Sequence, residues 1–333
     1  MTTTPKVSIC IPTYNQVRFI REAVETALAQ NFDSFEVVVS DNHCTDGTSE
    51  YLQTVQDPRF RLVRPPEHLV VTKHFDFCAS QSRGEYINFL SSDDNLHPDY
   101  ASKMAACLDA SPGASFAYCA SWLLDGEGRN IGLERNIGGN RRRTSDEALR
   151  RFIRNQRCVF DTLLIRRDCF EACGRLAILR NGGYLLEMPD WDLDIRLAMV
   201  GDVVYLDEVL VGFRYWSAEN REANQVRLPR YIEEIGRMFD TTVAEVVAAR
   251  PHLRAEAAAA RRALGVNCAL GVGELYGLAS YEENVKNVLR IHDSALVRFI
   301  LALHRIRLTP VIEFGRATKG MLRRHVKQLL YQG

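Results

Sequence analysis

In this chain of 333 residues no two cysteines stand two residues apart, and no uninterrupted apolar run is long enough to cross a bilayer. No net charge remains once 42 Lys and Arg are set against 42 Asp and Glu. Each absence excludes something. Nine cysteines, an odd number set mostly among apolar neighbours, argue against a disulfide framework and for free thiols in a reducing cytoplasm. Cys169 and Cys173 can share a helical face, but no further Cys or His stands at zinc-ligand spacing. The missing apolar run argues against a transmembrane helix. Zero net charge removes any whole-molecule attraction to nucleic acid. The N-terminus, MTTTPKVSIC, enters a strand pattern without an apolar signal region, so the expected location is cytoplasmic, soluble or peripheral at the inner face of the membrane.

A hydrophobic share of 46% over this length is enough for a large buried core. Short β-branched runs alternate with helical stripes: strands at Val7–Ile11, Phe35–Ser40, Phe60–Val63 and Tyr86–Leu90, with helices at Val17–Gln30, Thr48–Val55 and Val71–Ser82 between them. Repeated βα units predict an α/β fold with a mostly parallel sheet and helices on both faces. Further on, strands are expected at Phe116–Leu124, Phe160–Ile165, Val203–Leu206 and Val209–Tyr215, with a helix at Trp191–Met199 and an irregular loop over Asp125–Arg143. From Leu228 the pattern is helical only. These changes predict a catalytic domain over 1–225 and an all-helical region over 226–333.

Ligands of such sheets bind at the carboxyl ends of the strands. Three polar clusters fall there: Pro12-Thr13-Tyr14-Asn15, Asp41–Thr48 and Ser91-Ser92-Asp93-Asp94-Asn95. Adjacent carboxylates repel, and a hard divalent cation relieves that repulsion. The plainer reading of Asp93-Asp94 is a helix N-cap before His97–Leu108, and its place after a buried strand favours the ligand reading. Asp41 can accept a hydrogen bond from the imide N–H of a uracil or thymine ring. Asp46-Gly47-Thr48 reads as a turn and a helix cap. Thr13 and neighbouring N–H groups can hold ribose or base, with Tyr14 flanking the ring.

VSICIPTYNQVRFIREAVETALAQNFDSFEVVVSDNHCTDGT followed by GEYINFLSSDDNLHPDY resembles the family 2 glycosyltransferases of the GT-A fold, and MPDWDLDIRLAMVGDVVYLDEVLVGFRYWS resembles that family's acidic helix and following strands. The resemblance covers about Lys6 to Ser217. It implies that Pro12, Thr13, Tyr14 and Asp41, with Asn15 in the same turn, contact the nucleoside. Asp93 would lie near the ribose, Asp94 would bind the Mn²⁺ or Mg²⁺ that bridges the diphosphate, and Asp190 would be the catalytic base. The expected activity is inverting transfer of a sugar from a nucleotide diphosphate donor, UDP before dTDP, to an acceptor hydroxyl. The acceptor it implies is a saccharide or a lipid-linked saccharide of cell-surface polysaccharide or glycolipid assembly. Asp190 leads Asp190-Trp191-Asp192-Leu193-Asp194 at a helix start, where Asp194 can share its face and Asp192 points elsewhere.

Two positions depart from the family. Members often carry Asp where this chain has Ser91, and many place a His where it has Trp216, so a weak metal site is expected, with Arg214 or Lys73 assisting the diphosphate. Trp216 can stack on a sugar ring or serve as a core or lid aromatic. Asn140-Arg141-Arg142-Arg143 suggest either a solvated loop or a lid whose arginines grip phosphate. Cys158 and Asp161 border the expected acceptor side and read as packing residues.

Two other functions compete. Sugar nucleotidylyltransferases share a related fold but carry a Gly-rich basic loop after strand one, where this chain has Pro12-Thr13-Tyr14-Asn15. A non-catalytic nucleotide-sugar-binding or scaffold subunit would account for Ser91 and Trp216, but Asp41, Asp93, Asp94 and Asp190 are all retained. Between Arg298 and Lys327 eight Lys or Arg face one acid, Glu313, which suits either an anionic membrane surface or a packed helical subdomain and homodimer contact. Pro310 should break that stretch.

Overall fold

The computed structural model describes residues 4–136, 138–155, 158–176, 189–215, 221–271 and 281–305. The chain divides into two compact units, Met1–Ser217 and Ala218–Gly333.

The first unit is built on one mixed sheet. Its strands are β1 (Val7–Thr13), β2 (Phe35–Asp41), β3 (Phe60–Val63), β4 (Tyr86–Phe89), β5 (Asn95–Leu96), β6 (Ala114–Leu124), β7 (Asn130–Glu134), β8 (Arg141–Arg143), β9 (Leu163–Arg166) and β10 (Asp202–Arg214). They lie in the order β3-β2-β1-β4-β9-β6-β10-β5, with β7 added on β6 and β8 on β10. The long ladders, β1 with β2 and β6 with β10, are parallel; the short additions β5, β7, β8 and β9 pair antiparallel. β1 and β2 are buried along their whole length, as the continuous apolar runs of a doubly covered parallel sheet require.

Helices α1 (Ile20–Leu28), α2 (Thr48–Gln53), α3 (Val71–Ser80) and α4 (Tyr100–Asp109) follow the early strands, and α5 (Ser145–Phe152), α6 (Arg167–Ala172) and α7 (Pro189–Val200) the later ones. α1 buries Ile20, Ala23, Val24 and Ala27, the i, i+3, i+4, i+7 stripe of an amphipathic helix. β1 is flanked by β2 on one side and β4 on the other, so strand order reverses there. A crevice opens at the carboxyl ends of such strands.

Two expectations are corrected. The irregular loop over Asp125–Arg143 contains the hairpin partner β7 and the strand β8, and β8 pairs Arg143 with Val203 and Arg141 with Tyr205. Arg142 bonds Asp202 at 2.9 Å and Arg143 is buried beside the Tyr118 hydroxyl, so these arginines are fastened to the sheet rather than carried on a lid. The two late strands are one, β10, continuous through register shifts between Leu206 and Val209 and between Val209 and Val211. A bulge lets the polar Asp207-Glu208 pass without ending the strand.

The second unit is helical: α8 (Arg221–Met238), α9 (Ala244–Ala249), α10 (Arg254–Gly271), α11 (Tyr281–Ile291) and α12 (Ala295–Arg305). Val297, Ile300, Leu301 and His304 of α12 are buried, and the His304 ring bonds the Ala269 carbonyl at 3.0 Å, tying α12 to α10. Pro310 and most of the basic stretch lie outside the described residues. No helix among the described residues is long and apolar enough to cross a membrane.

Candidate active site

Register brings the first two polar clusters together. Thr13 is the parallel partner of Asp41, the Asn42 N–H donates to the Thr13 carbonyl at 3.0 Å, and the Leu90 N–H donates to the Cys10 carbonyl at 2.9 Å, so the ends of β1, β2 and β4 meet. Asn15 and His43 sit at φ +51 and +64, left-handed backbone uncommon for side-chain-bearing residues and characteristic of functional turns. Asn15 ties the two loops: its N–H meets the Cys44 sulfur at 3.2 Å, and its Oδ1 accepts the Thr45 N–H at 2.8 Å.

Asp41 is fully buried. Burial alone would raise its pKa, but the Cys44 N–H (2.9 Å), the Ser49 hydroxyl (2.6 Å) and the Arg64 guanidinium outweigh burial and bring it down to about 2. Its carboxylate is therefore already engaged, and Arg64 is a neighbour that the sequence did not single out. The Thr13 hydroxyl is buried without a hydrogen-bond partner. Pro12 precedes it as a buried strand residue. Tyr14 stands half-exposed at the strand end, edge-on to His68 with ring centroids 4.6 Å apart. Asn42 bonds the Leu69 backbone through both amide atoms, drawing the segment before α3 to this side. Lys73, in the first turn of α3, is exposed there.

The third cluster gathers more acid than expected. Asp94 is buried; its Oδ1 accepts the Arg214 N–H at 2.6 Å, and its Oδ2 has no donor. Asp161, from the single turn Phe160–Thr162 before β9, is equally buried, and its Oδ1 accepts the Ser91 N–H at 2.5 Å. Burial, then repulsion from Asp161 and Asp93, holds the Asp94 carboxyl well above the usual range; burial chiefly pushes Asp161 up to about 6. In the sequence nothing distinguishes Asp161 from an ordinary packing residue. Only the fold shows it facing Ser91 across 70 residues.

Arg214 is buried at the end of β10. Its guanidinium donates to the Asp93 carbonyl and to Glu22 Oε2 (2.5 Å) and lies 4.9 Å from the Phe19 ring. Glu22 also accepts from Asn95 Nδ2 at 2.7 Å. The expected diphosphate contact is thus corrected: this guanidinium is turned inward, and it braces the Asp93–Asn95 turn against α1. Trp216 lies outside the described residues.

Asp190 occupies the first turn of α7, part-exposed, with Oδ1 accepting the Trp191 N–H at 2.9 Å. Trp191 anchors the helix by donating to the Phe152 carbonyl at 2.6 Å. Asp192 is paired with Arg196 at 2.7 Å and is structural. Asp194 is buried against the Cys158 thiol; burial, then Asp190, raises its pKa well above the usual range, and the thiol works weakly the other way. Of the three acids only Asp190 is presented outward. Cys158 lies beside Asp194 and within electrostatic reach of Asp190, while Asp161 lies beside Asp94 and Asp93. The short segment from Cys158 to Asp161 therefore runs between the two acidic groups.

Among the described residues no three His, Cys, Asp or Glu side chains form a ready-made metal cage. Mg²⁺ and Mn²⁺ do not need one, because one or two carboxylates plus substrate phosphates suffice. The donorless Oδ2 of Asp94 and the all-oxygen character of the cluster fit such an ion.

Residues 8–174 match the sequence profile of glycosyl transferase family 2. The chain belongs to that family. It is 26% identical over 238 residues to the succinoglycan biosynthesis protein ExoO of Rhizobium meliloti (strain 1021), an alignment covering 62% of this chain and 68% of ExoO. It is also 24% identical over 233 residues to the uncharacterized glycosyltransferase RT0329 of Rickettsia typhi (strain ATCC VR-144 / Wilmington), covering 69% of this chain and 70% of that one, whereas protein CgeD of Bacillus subtilis (strain 168) is matched over 45% of its length. The S. aureus TarS 1–349 structure in complex with UDP-GlcNAc superposes with a TM-score of 0.55 at 16% identity, covering 90% of this chain and 91% of that one. The mannosyltransferase PcManGT from Pyrobaculum calidifontis, in complex with GDP-Man and Mn²⁺, gives 0.53 at 15% identity, covering 94% and 87%. The fold of this family 2 protein is accordingly GT-A, and its activity is glycosyl transfer.

Proposed function

We propose that this family 2 glycosyltransferase moves a sugar from a nucleotide diphosphate, UDP before dTDP, to an acceptor hydroxyl with inversion at the anomeric carbon. The observation that carries the reading is the meeting of three strand ends around Thr13, Asp41 and the Asp93–Asp94 turn, with Asp190 joined to it through the Cys158–Asp161 segment. Tyr14 and His68 offer ring edges to the base, the unpaired Thr13 hydroxyl offers a hydrogen bond, and Asp41, whose carboxylate oxygens each have room for more than one donor, would accept from the imide.

Asp94 would hold Mn²⁺ or Mg²⁺ beside the diphosphate, with Asp93 toward the ribose. Such an ion, when bound, neutralises the charge that builds on the leaving diphosphate. Arg214 and Glu22 keep the turn in place while Asp190 takes the proton from the attacking hydroxyl, opposite the leaving group. One displacement from that side inverts the centre. TarS and PcManGT, bound to UDP-GlcNAc and to GDP-Man with Mn²⁺, support a sugar-nucleotide donor and a cation. ExoO, named for succinoglycan biosynthesis, supports a saccharide or lipid-linked saccharide acceptor in cell-surface polysaccharide assembly.

Thermal-shift titration with UDP-, dTDP- and GDP-sugars, each with and without Mn²⁺, tests the reading. A UDP-sugar should raise Tm most, and Mn²⁺ should enlarge the shift in wild type but not in Asp94→Asn. No shift with any of the three donors would refute it.

A further inference from the structure

Ser91 opens the acidic turn with a hydroxyl, and Asp161 brings a carboxylate to the same place from another part of the chain. Its Oδ1 sits on the Ser91 N–H at 2.5 Å. Its backbone is also fixed: the Asp161 carbonyl accepts from Asn88 Nδ2 at 2.9 Å, and the preceding Phe160 stacks on Phe89 with centroids 5.1 Å apart and planes 11° apart. Both side chains of the resulting pair, Asp94 and Asp161, are 1% exposed, and Asp94 Oδ2 meets no N–H or O–H. Arg214 gives its two terminal guanidinium nitrogens to the Asp93 carbonyl and Glu22 and only its backbone N–H to Asp94. Two buried carboxyls therefore lie side by side, and among the described residues no side-chain cation is bonded to either. A divalent cation entering there would meet both carboxyls at once, one of them with an oxygen that no donor from the rest of the protein has taken.

We propose that Asp161 is a second protein ligand of the divalent cation, shared with Asp94, and that it stands in space where Ser91 supplies no carboxylate. This rests on the reading of Asp94 given above. Two protein carboxylates with diphosphate oxygens and water make an ordinary ligand set for Mg²⁺ or Mn²⁺.

Mn²⁺ titration followed by the electron paramagnetic resonance of free Mn²⁺, with UDP present, tests this on wild type, Asp161→Asn and Asp94→Asn. Asn keeps an acceptor for the Ser91 N–H, removes the charge and exchanges the second oxygen for an amide NH2, which cannot ligate a cation. Asp161→Asn should weaken Mn²⁺ binding by about tenfold or more, a scale already seen for groups one shell further out. Metal-free UDP affinity and Tm should stay at wild-type levels. Unchanged Mn²⁺ affinity in Asp161→Asn overturns the proposal. Joint loss of metal-free UDP binding and of Tm overturns it too, because Asp161 would then only anchor the turn. If Asp94→Asn loses Mn²⁺ and Asp161→Asn does not, this inference alone fails. If wild type takes up no Mn²⁺ in the presence of UDP, the reading of Asp94 fails with it.

Discussion

The backbone N–H of Arg214 donates to Asp94 Oδ1 at 2.6 Å, joining residues 120 apart in sequence. The orientation of the acidic turn is thus set by the end of β10, and the Arg214 side chain doubles the connection through Glu22 and the Asp93 carbonyl. Arg214→Met keeps the backbone bond and removes the guanidinium, leaving Glu22 with Asn95 Nδ2 but without its cation. Denaturant unfolding should show a loss of about 1–3 kcal/mol. Donor affinity should fall more with Mn²⁺ than without it, as read by isothermal titration calorimetry.

Gly212 faces Asn95 across the β5–β10 pairing, where an added Cβ would lie 2.3 Å from Asn95 Oδ1 and 2.9 Å from Leu124 Cδ1. Gly212→Ala should cost about 1–3 kcal/mol by overpacking. Adding Asn95→Ala should return part of that loss, because the two sites share the contact. A double-mutant cycle by chemical denaturation measures the coupling.

Asp190→Asn leaves the hydrogen bond to the Trp191 N–H available and removes the base. Donor affinity should stay within twofold of wild type, while transfer to acceptor should fall by a factor on the order of 10²–10⁴. Product formation under saturating donor checks this, and full turnover in the variant would remove Asp190 from the role.

Asp194 gives a pH signature. Burial and the nearby Asp190 raise its pKa, so the folded chain holds a proton that the unfolded chain has released. Its contribution to stability is complete below about pH 4, the unfolded value, and is lost as pH rises toward the raised one. Across that window the slope is about 1.4 kcal/mol per pH unit for one proton. Asp194→Asn should flatten the pH profile of unfolding free energy by that one-proton slope.

Much of the first unit was legible because parallel strands buried on both faces appear as apolar runs, and α1 shows its stripe plainly. Pro12–Asn15, Asp41 and Asp93–Asp94 followed, since strand ends are where such folds put polar groups. β8 was not legible: Arg141-Arg142-Arg143 has no apolar alternation, and it is a strand only because Val203–Tyr205 pairs with it and Asp202 and Tyr118 take up two of its side chains. The continuity of β10 was hidden by Asp207-Glu208 at its bulge. Asp161 and Arg64 were missed for the same reason as the inward turn of Arg214. Each acquires its partner by long-range pairing, and nothing in the local sequence announces it.

The ladder from Val7–Phe35 to Thr13–Asp41 leaves no slack, since both strands are covered on both sides. A one-residue slip would exchange the two faces of β2 and carry Asp41 away from Thr13. Threading errors would therefore erase the groove before they erased the helices. If the donor binds there as proposed, a nucleotide added during refolding should favour the correctly aligned chain, acting as a template for assembly.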